Sequence, residues 1–186
     1  MMLNQEKFQE LARKVHSNAK AHGWHDEKKP DEHWLCMIMT EVAEAVEADR
    51  KNSKAFRKIF ERESVSPQLK DHREKHWQFC FDRFIKNTLE DEFADICIRI
   101  FDYAYEKFGE DMLWMTYRVR IHEEKPFTSI AFHFVKDILN SGMMNLSEAI
   151  LFIYEWADKL DIDLDWHIAA KMRYNESRPY KHGKSY

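Results

Sequence analysis

Apolar side chains recur at helical intervals near the start of the chain, at Phe8, Leu11, Ala12, Val15 and Ala19, and the spacing stops at Gly23, a residue suited to ending a helix. After the polar stretch "GWHDEKKPDEHW", with Pro30 and with Asp31 as the expected N-cap, a second stripe runs through Trp34, Leu35, Ile38, Val42 and Val46. A third series, Leu89, Phe93, Ile96, Ile100 and Tyr103, begins at Thr88 and continues to Gly109; Thr88 and Asp91 have the form of a capping box. Helical patterns follow over 111–122 and 129–139, separated by Pro126. Asn145 and Glu148 form a second candidate capping box, opening a helix through Leu151, Ile153, Trp156 and Leu160. A last helix is predicted over 164–175, ahead of a basic tail, "ESRPYKHGKSY". Residues 51–82 are highly charged, broken at Pro67, and too sparse in apolar positions to outline a strong core face, so they read as an insertion with short helices. Residues 110–146 read as a second insertion. The expectation is one all-α domain spanning residues 1–186.

Composition strengthens this picture. Four glycines and four prolines in 186 residues leave long runs with few sharp turns, which favours helices over a many-stranded fold. The chain is long enough to bury a substantial core. A net charge of -4 gives no broad basic field for duplex nucleic acid and speaks against that partner, while leaving small charged ligands open. The first residues lack a basic segment followed by an apolar one, and no apolar run reaches the roughly 18 residues needed to span a bilayer, so neither secretion nor a membrane location is expected. Cys36, Cys80 and Cys97 are scattered through apolar runs without a CxxC pair, as expected of buried, reduced thiols in a cytoplasmic protein.

Candidate chemistry centres on acids. Glu41 and Glu44 stand three residues apart within the second helix, as do Glu92 and Asp95 within the third. Two such helices side by side can aim both pairs at one spot, where the carboxylates repel unless protons or a hard divalent cation such as Mg2+ neutralise them. The spacing alone also suits an ordinary solvated acidic face. Glu47 and Asp102, one turn beyond their pairs, are either supporting or solvated. No Glu-x-x-His pair of the di-iron type occurs, and His33 with Cys36 lacks the second pair that a zinc site needs. Without a P-loop or a GxGxxG motif, any phosphate must be held by a metal and basic side chains. Lys171 and Asn175 share one helical face, with Arg178, Lys181 and Lys184 just beyond and Tyr174 able to stack or hydrogen-bond; the competing reading is a solvated basic tail.

The blocks "HGWHDEKKPDEHWLCMIMTEVAEAVEADR", "IKNTLEDEFADICIRIFD" and "LDIDLDWHIAAKMRYNESRPYKHGK" resemble, in order, the signature blocks of the MazG-like nucleotide pyrophosphohydrolases of the all-α NTP pyrophosphatase superfamily. They cover about 70 to 80 residues. The superfamily pattern, ExxE followed by ExxD, maps onto Glu41, Glu44, Glu92 and Asp95 as metal ligands. The resemblance implies cleavage of a nucleoside triphosphate between its α and β phosphorus atoms, dependent on Mg2+ or substituting Mn2+, giving a monophosphate and pyrophosphate. In the mechanism we expect from this, the four acids hold Mg2+, Glu41 and Glu44 are catalytic, and one acid, Glu44 in the first instance, acts as general base. Lys171, Asn175 and Arg178 would contact phosphate or nucleotide, supported by Tyr174. Trp24 would either stack on the base or staple the core. A homodimer or homotetramer is implied as well. Two departures stand out: Thr40 replaces an acid found in many members, and the gap between the two acidic motifs is longer than in compact ones. An inactive nucleotide-binding or regulatory helical scaffold is the alternative that Thr40 favours.

Overall fold

Helix starts are set by short polar side chains that accept the first free backbone N–H groups. The computed structural model describes residues 4–65, 73–112, 121, 125–140 and 145–183. These form α1 (Gln5–Ala21), α2 (Asp31–Arg50), α3 (Arg57–Glu63), α4 (Arg73–Phe84), α5 (Leu89–Phe108), α6 (Phe127–Leu139), α7 (Leu146–Lys159) and α8 (Leu164–Glu176), with short 3-10 turns at Gly109–Asp111 and Tyr180–Gly183. Among the described residues there is no strand, and the protein is all-α. The predicted break at Pro67, most of the predicted helix over 111–122, and Lys184 lie outside the described residues.

Asn4 caps α1, and Asn145 with Glu148 forms a reciprocal capping box at α7. Two expected caps differ. Pro30 is the N-cap of α2, which makes Asp31 its first helical residue, and the Asp31 carboxylate instead accepts from Lys107 at 2.6 Å. Thr88 caps α5, but Asp91 does not return a bond to Thr88; it accepts from the Asn87 N–H at 3.0 Å, because Asn87 turns back in the left-handed region at φ 59°.

The centre of the molecule is α5, which packs against α1, α2, α7 and α8. Its apolar stripe, Phe93, Ile96, Ile100 and Phe101, meets Phe8 and Val15 of α1, Ile38 and Val42 of α2, and Ile150, Ile153 and Trp156 of α7. Each such side chain contributes on the order of 2 kcal/mol when withdrawn from water. Phe93 meets Trp156 edge-on at 5.0 Å, a favoured aromatic geometry.

The described residues of the 51–82 segment pack better than its sequence suggests. Phe60 of α3, with Trp77, Cys80 and Phe81 of α4, joins Ile85, Ala170 and Tyr174 in a second buried cluster. Its apolar positions are few but aromatic, and α8 supplies the missing wall. Linear periodicity within one segment cannot reveal such a cluster.

Residues after α8 are docked up to 183. The Lys181 N–H donates to the His22 carbonyl at 2.9 Å, a His22 ring nitrogen meets the Arg178 carbonyl at 3.0 Å, and the Tyr180 hydroxyl meets Asp26. Gly23 sits beneath the Tyr180 ring at φ +79°, where an added Cβ would collide with the ring and strain the backbone. Gly23→Ala is expected to cost about 1 kcal/mol of stability and to speed proteolysis after residue 176, checked by thermal melting and timed trypsin digestion.

The expected burial of the thiols holds for Cys80 and Cys97 but not for Cys36, which is exposed because it lies off the buried Trp34, Ile38 and Val42 stripe of α2. No helix among the described residues is long and apolar enough to cross a membrane.

Candidate functional site

The polar stripe of α5, running Glu92, Asp95, Arg99 and Asp102, faces a cavity of about 290 Å³ between α1, α2 and α8. Glu41, Glu44, Glu92, Asp95, Lys171, Asn175, Arg178 and Trp24 all line it. These residues come from three separate stretches of sequence. Tyr174 does not line it: its ring stacks on Phe81 at 4.5 Å in the aromatic cluster and its hydroxyl donates to Asp82 at 2.7 Å. Tyr174 instead underpins the wall, with Lys86 and Arg178 lying over its ring at 5.4 and 5.8 Å. Trp24 reaches the cavity from the loop between α1 and α2. Glu47 is exposed and paired with Arg50 and Lys51, outside the cavity lining.

The four acids do not form one equivalent set. Carboxylate oxygens of Glu41, Glu44 and Glu92 lie within 4.8 Å of one another. Asp95 is paired instead with Lys171, whose ammonium lies 2.6 Å from Asp95 and 2.8 Å from the fully buried Asp91. Glu41 accepts from Arg99 at 2.8 Å. Glu44 and Glu92 have no cationic partner among the described residues. One Glu92 oxygen, Oε2, is buried without a hydrogen bond, as is the side-chain oxygen of Asn175.

Electrostatics follow from this pairing. Burial, reinforced by Asp95 and Asp91, pushes the Glu92 carboxyl up to about 9. Burial, with Asp95 nearby, also raises Glu41 despite the Arg99 guanidinium. Asp91 is pushed up to about 6 by burial, against the pull of Lys171. Burial opposes the charge on Lys171, but Asp95 and Asp91 outweigh it and keep the ammonium protonated. The three-carboxylate group therefore holds more negative charge than its neighbours neutralise. A proton can meet that need, and so can an oxygen-loving divalent cation, for which three convergent carboxylates and one orphaned oxygen are a fitting donor set.

Glu92 makes this measurable. Its carboxyl ordinarily titrates near 4.5 and is held near 9 in the folded chain, so between those values the folded state carries the additional proton. The contribution of Glu92 to stability is then fully present below about pH 4.5 and is lost as pH rises toward 9. Glu92→Gln should flatten this decline and raise stability at pH 8.5 by on the order of 2 kcal/mol, measured by melting in EDTA from pH 5 to 9.

Sequence reasoning passed over Asp91 as a cavity anchor, Arg99 as the partner of Glu41, and Lys86 on the rim. A signal for Arg99 existed, since it follows Asp95 by four residues on the same face of α5. The neighbours of Asp102 gave no such signal. His16 and His25 both meet its Oδ1, at 3.0 and 2.8 Å, from outside any recognisable spacing. No family model, curated protein or solved structure matches the chain.

Proposed function

We propose that the protein is a Mg2+-dependent nucleoside triphosphate pyrophosphohydrolase, cleaving the α–β phosphoanhydride to a monophosphate and pyrophosphate. The observation that carries this reading is the meeting of Glu41, Glu44, Glu92 and Asp95 with Lys171, Asn175 and Arg178 around one cavity. Every one of these residues belongs to a block resembling the MazG-like enzymes. Held by Glu41, Glu44 and Glu92, Mg2+ would supply the positive charge that lets a triphosphate of about four negative charges approach the acids and would polarise its phosphates.

The chain's own residues have separable tasks. Arg178 and Lys86 present cations at the cavity wall for phosphate oxygens. The Asn175 amide, whose oxygen lacks an internal partner, is free to bond a ligand. Lys171 is pinned between Asp91 and Asp95 and fixes the orientation of Asp95 toward the cavity. Glu44 receives the proton of the attacking water, because it is exposed and has no ion pair among the described residues. Glu41 is tied to Arg99, and Glu92 lies too deep for that task.

Incubation with a panel of ribo- and deoxyribonucleoside triphosphates, with Mg2+ or EDTA, is expected to give equal amounts of monophosphate and pyrophosphate only with the metal. Diphosphate and inorganic phosphate as products would refute the cleavage position. A second reading, a nucleotide-binding scaffold without turnover, draws on Thr40, whose hydroxyl donates to the Cys36 carbonyl at 3.0 Å where many of the resembling enzymes carry an acid. Nucleotide binding without product across the panel would favour it.

A further inference from the structure

Beside the cavity lies a second group of donors with different chemistry. His16 of α1, His25 of the following loop, and Asp102 of α5 converge, with side chains only 10, 4 and 6 % exposed. His16 Nδ1 and His25 Nε2 lie 3.0 and 2.8 Å from the same Asp102 oxygen. On its other side, His25 Nδ1 lies 3.2 Å from Glu106, one turn further along α5. The rings are braced: His25 stacks on Trp34 at 5.0 Å and His16 lies against Tyr105 at 5.0 Å.

We propose that His16, His25 and Asp102 form a binding site for a transition-metal divalent cation, Zn2+ in the first instance, distinct from the three-carboxylate group. Two imidazoles and one carboxylate form a donor set that suits Zn2+ and disfavours Mg2+, which prefers oxygen alone. A tetrahedral ion with bonds of about 2.05 Å holds its donors about 3.3 Å apart. The two nitrogens already sit 2.8 and 3.0 Å from the carboxylate oxygen, so seating the ion requires an opening of a few tenths of an ångström. Glu106 accepts from the far nitrogen of His25, the arrangement that fixes the tautomer and orientation of a metal-bound imidazole. Asp102 also borders the cavity beside Asn18 and Ala19, which leaves a side from which the ion can be loaded and a water or ligand atom can complete its coordination. An ion there ties the loop carrying Trp24 to α1 and α5 at the part of the cavity wall that Asp102 lines. This site goes beyond the proposed hydrolase reading and does not rest on it.

The test is a titration of EDTA-treated, full-length protein with Zn2+ at fixed excess Mg2+, followed by calorimetry and by NMR of the histidine imidazoles. One equivalent is expected to bind and to shift the signals of two histidines, assigned through His16→Gln and His25→Gln. Glu44→Gln, which alters the three-carboxylate group, is expected to leave that equivalent in place. Glu106→Gln should weaken it about 10- to 100-fold, and His25→Gln should weaken it more. Because the wild-type imidazole signals report directly, the result does not depend on every variant folding. Unmoved imidazole signals, or binding lost in Glu44→Gln but kept in His25→Gln, would overturn the proposal, leaving a self-satisfied His–Asp–His hydrogen-bond network.

Discussion

Lys171→Met is expected to lower the unfolding free energy by about 3 to 5 kcal/mol, read from urea or thermal melts. The ammonium is buried and lies 2.8 Å from Asp91, which is itself only 1 % exposed, and 2.6 Å from Asp95. Methionine matches the length of the stem but leaves both acids without a counter-ion in a setting where charge is poorly solvated. The loss has a pH signature. Burial already raises Asp91 to about 6, and removing Lys171 raises it further, so the folded variant holds a proton that the unfolded chain releases. Stability of the variant should therefore fall as pH rises, with a larger deficit at pH 8 than at pH 5. Asp91→Asn added to Lys171→Met should recover part of the loss, because the two residues are in direct contact and their effects do not add. A deficit below about 1 kcal/mol would mean that water reaches the pair and that the cavity floor is softer than its packing indicates.

The second large effect concerns turnover. Glu44→Gln is expected to reduce metal-dependent pyrophosphate release at least about a hundredfold while leaving the melting temperature nearly unchanged. Glu44 is the exposed member of the three-carboxylate group, so removing its charge relieves repulsion and costs no packing. Of the cavity acids, it alone combines open access with freedom from an ion pair among the described residues. A rate preserved in the variant under saturating Mg2+ would take the proton-accepting role away from Glu44. A lower affinity for Mg2+ with an unchanged maximal rate would limit its part to holding the ion.

Much of the fold was legible because helical periodicity and caps act locally. The stripe Leu89, Phe93, Ile96, Ile100 and Tyr103 is buried throughout, and the Asn145–Glu148 box is in place. The two acidic pairs could be placed on facing helices for the same reason. Less legible was everything decided by partners far apart in sequence. Asp91 looked like a capping residue, yet it serves Asn87 and a lysine 80 positions away. That lysine also pairs with Asp95, which no spacing within α5 could foretell. Phe60, Trp77 and Phe81 looked too scattered to make a core until α8 closed over them. Tyr174, grouped by sequence with phosphate contacts, is claimed by that same cluster. His16 and His25 meet at Asp102, 86 and 77 positions from them, with their rings edge to face at 4.3 Å.

The position of α5 has a kinetic consequence. It carries Glu92, Asp95 and Asp102 and also packs against α1, α2, α7 and α8, so these acids cannot be released without dismantling the main core. Amide hydrogens along the middle of α5 should exchange with deuterium only through global opening, whereas those of the loop between α1 and α2, which lies outside the helices, should exchange through local fluctuations. The acidic side of the cavity is thus as long-lived as the fold itself, and whatever moves to admit or release a ligand must come from the loop and the docked residues after α8.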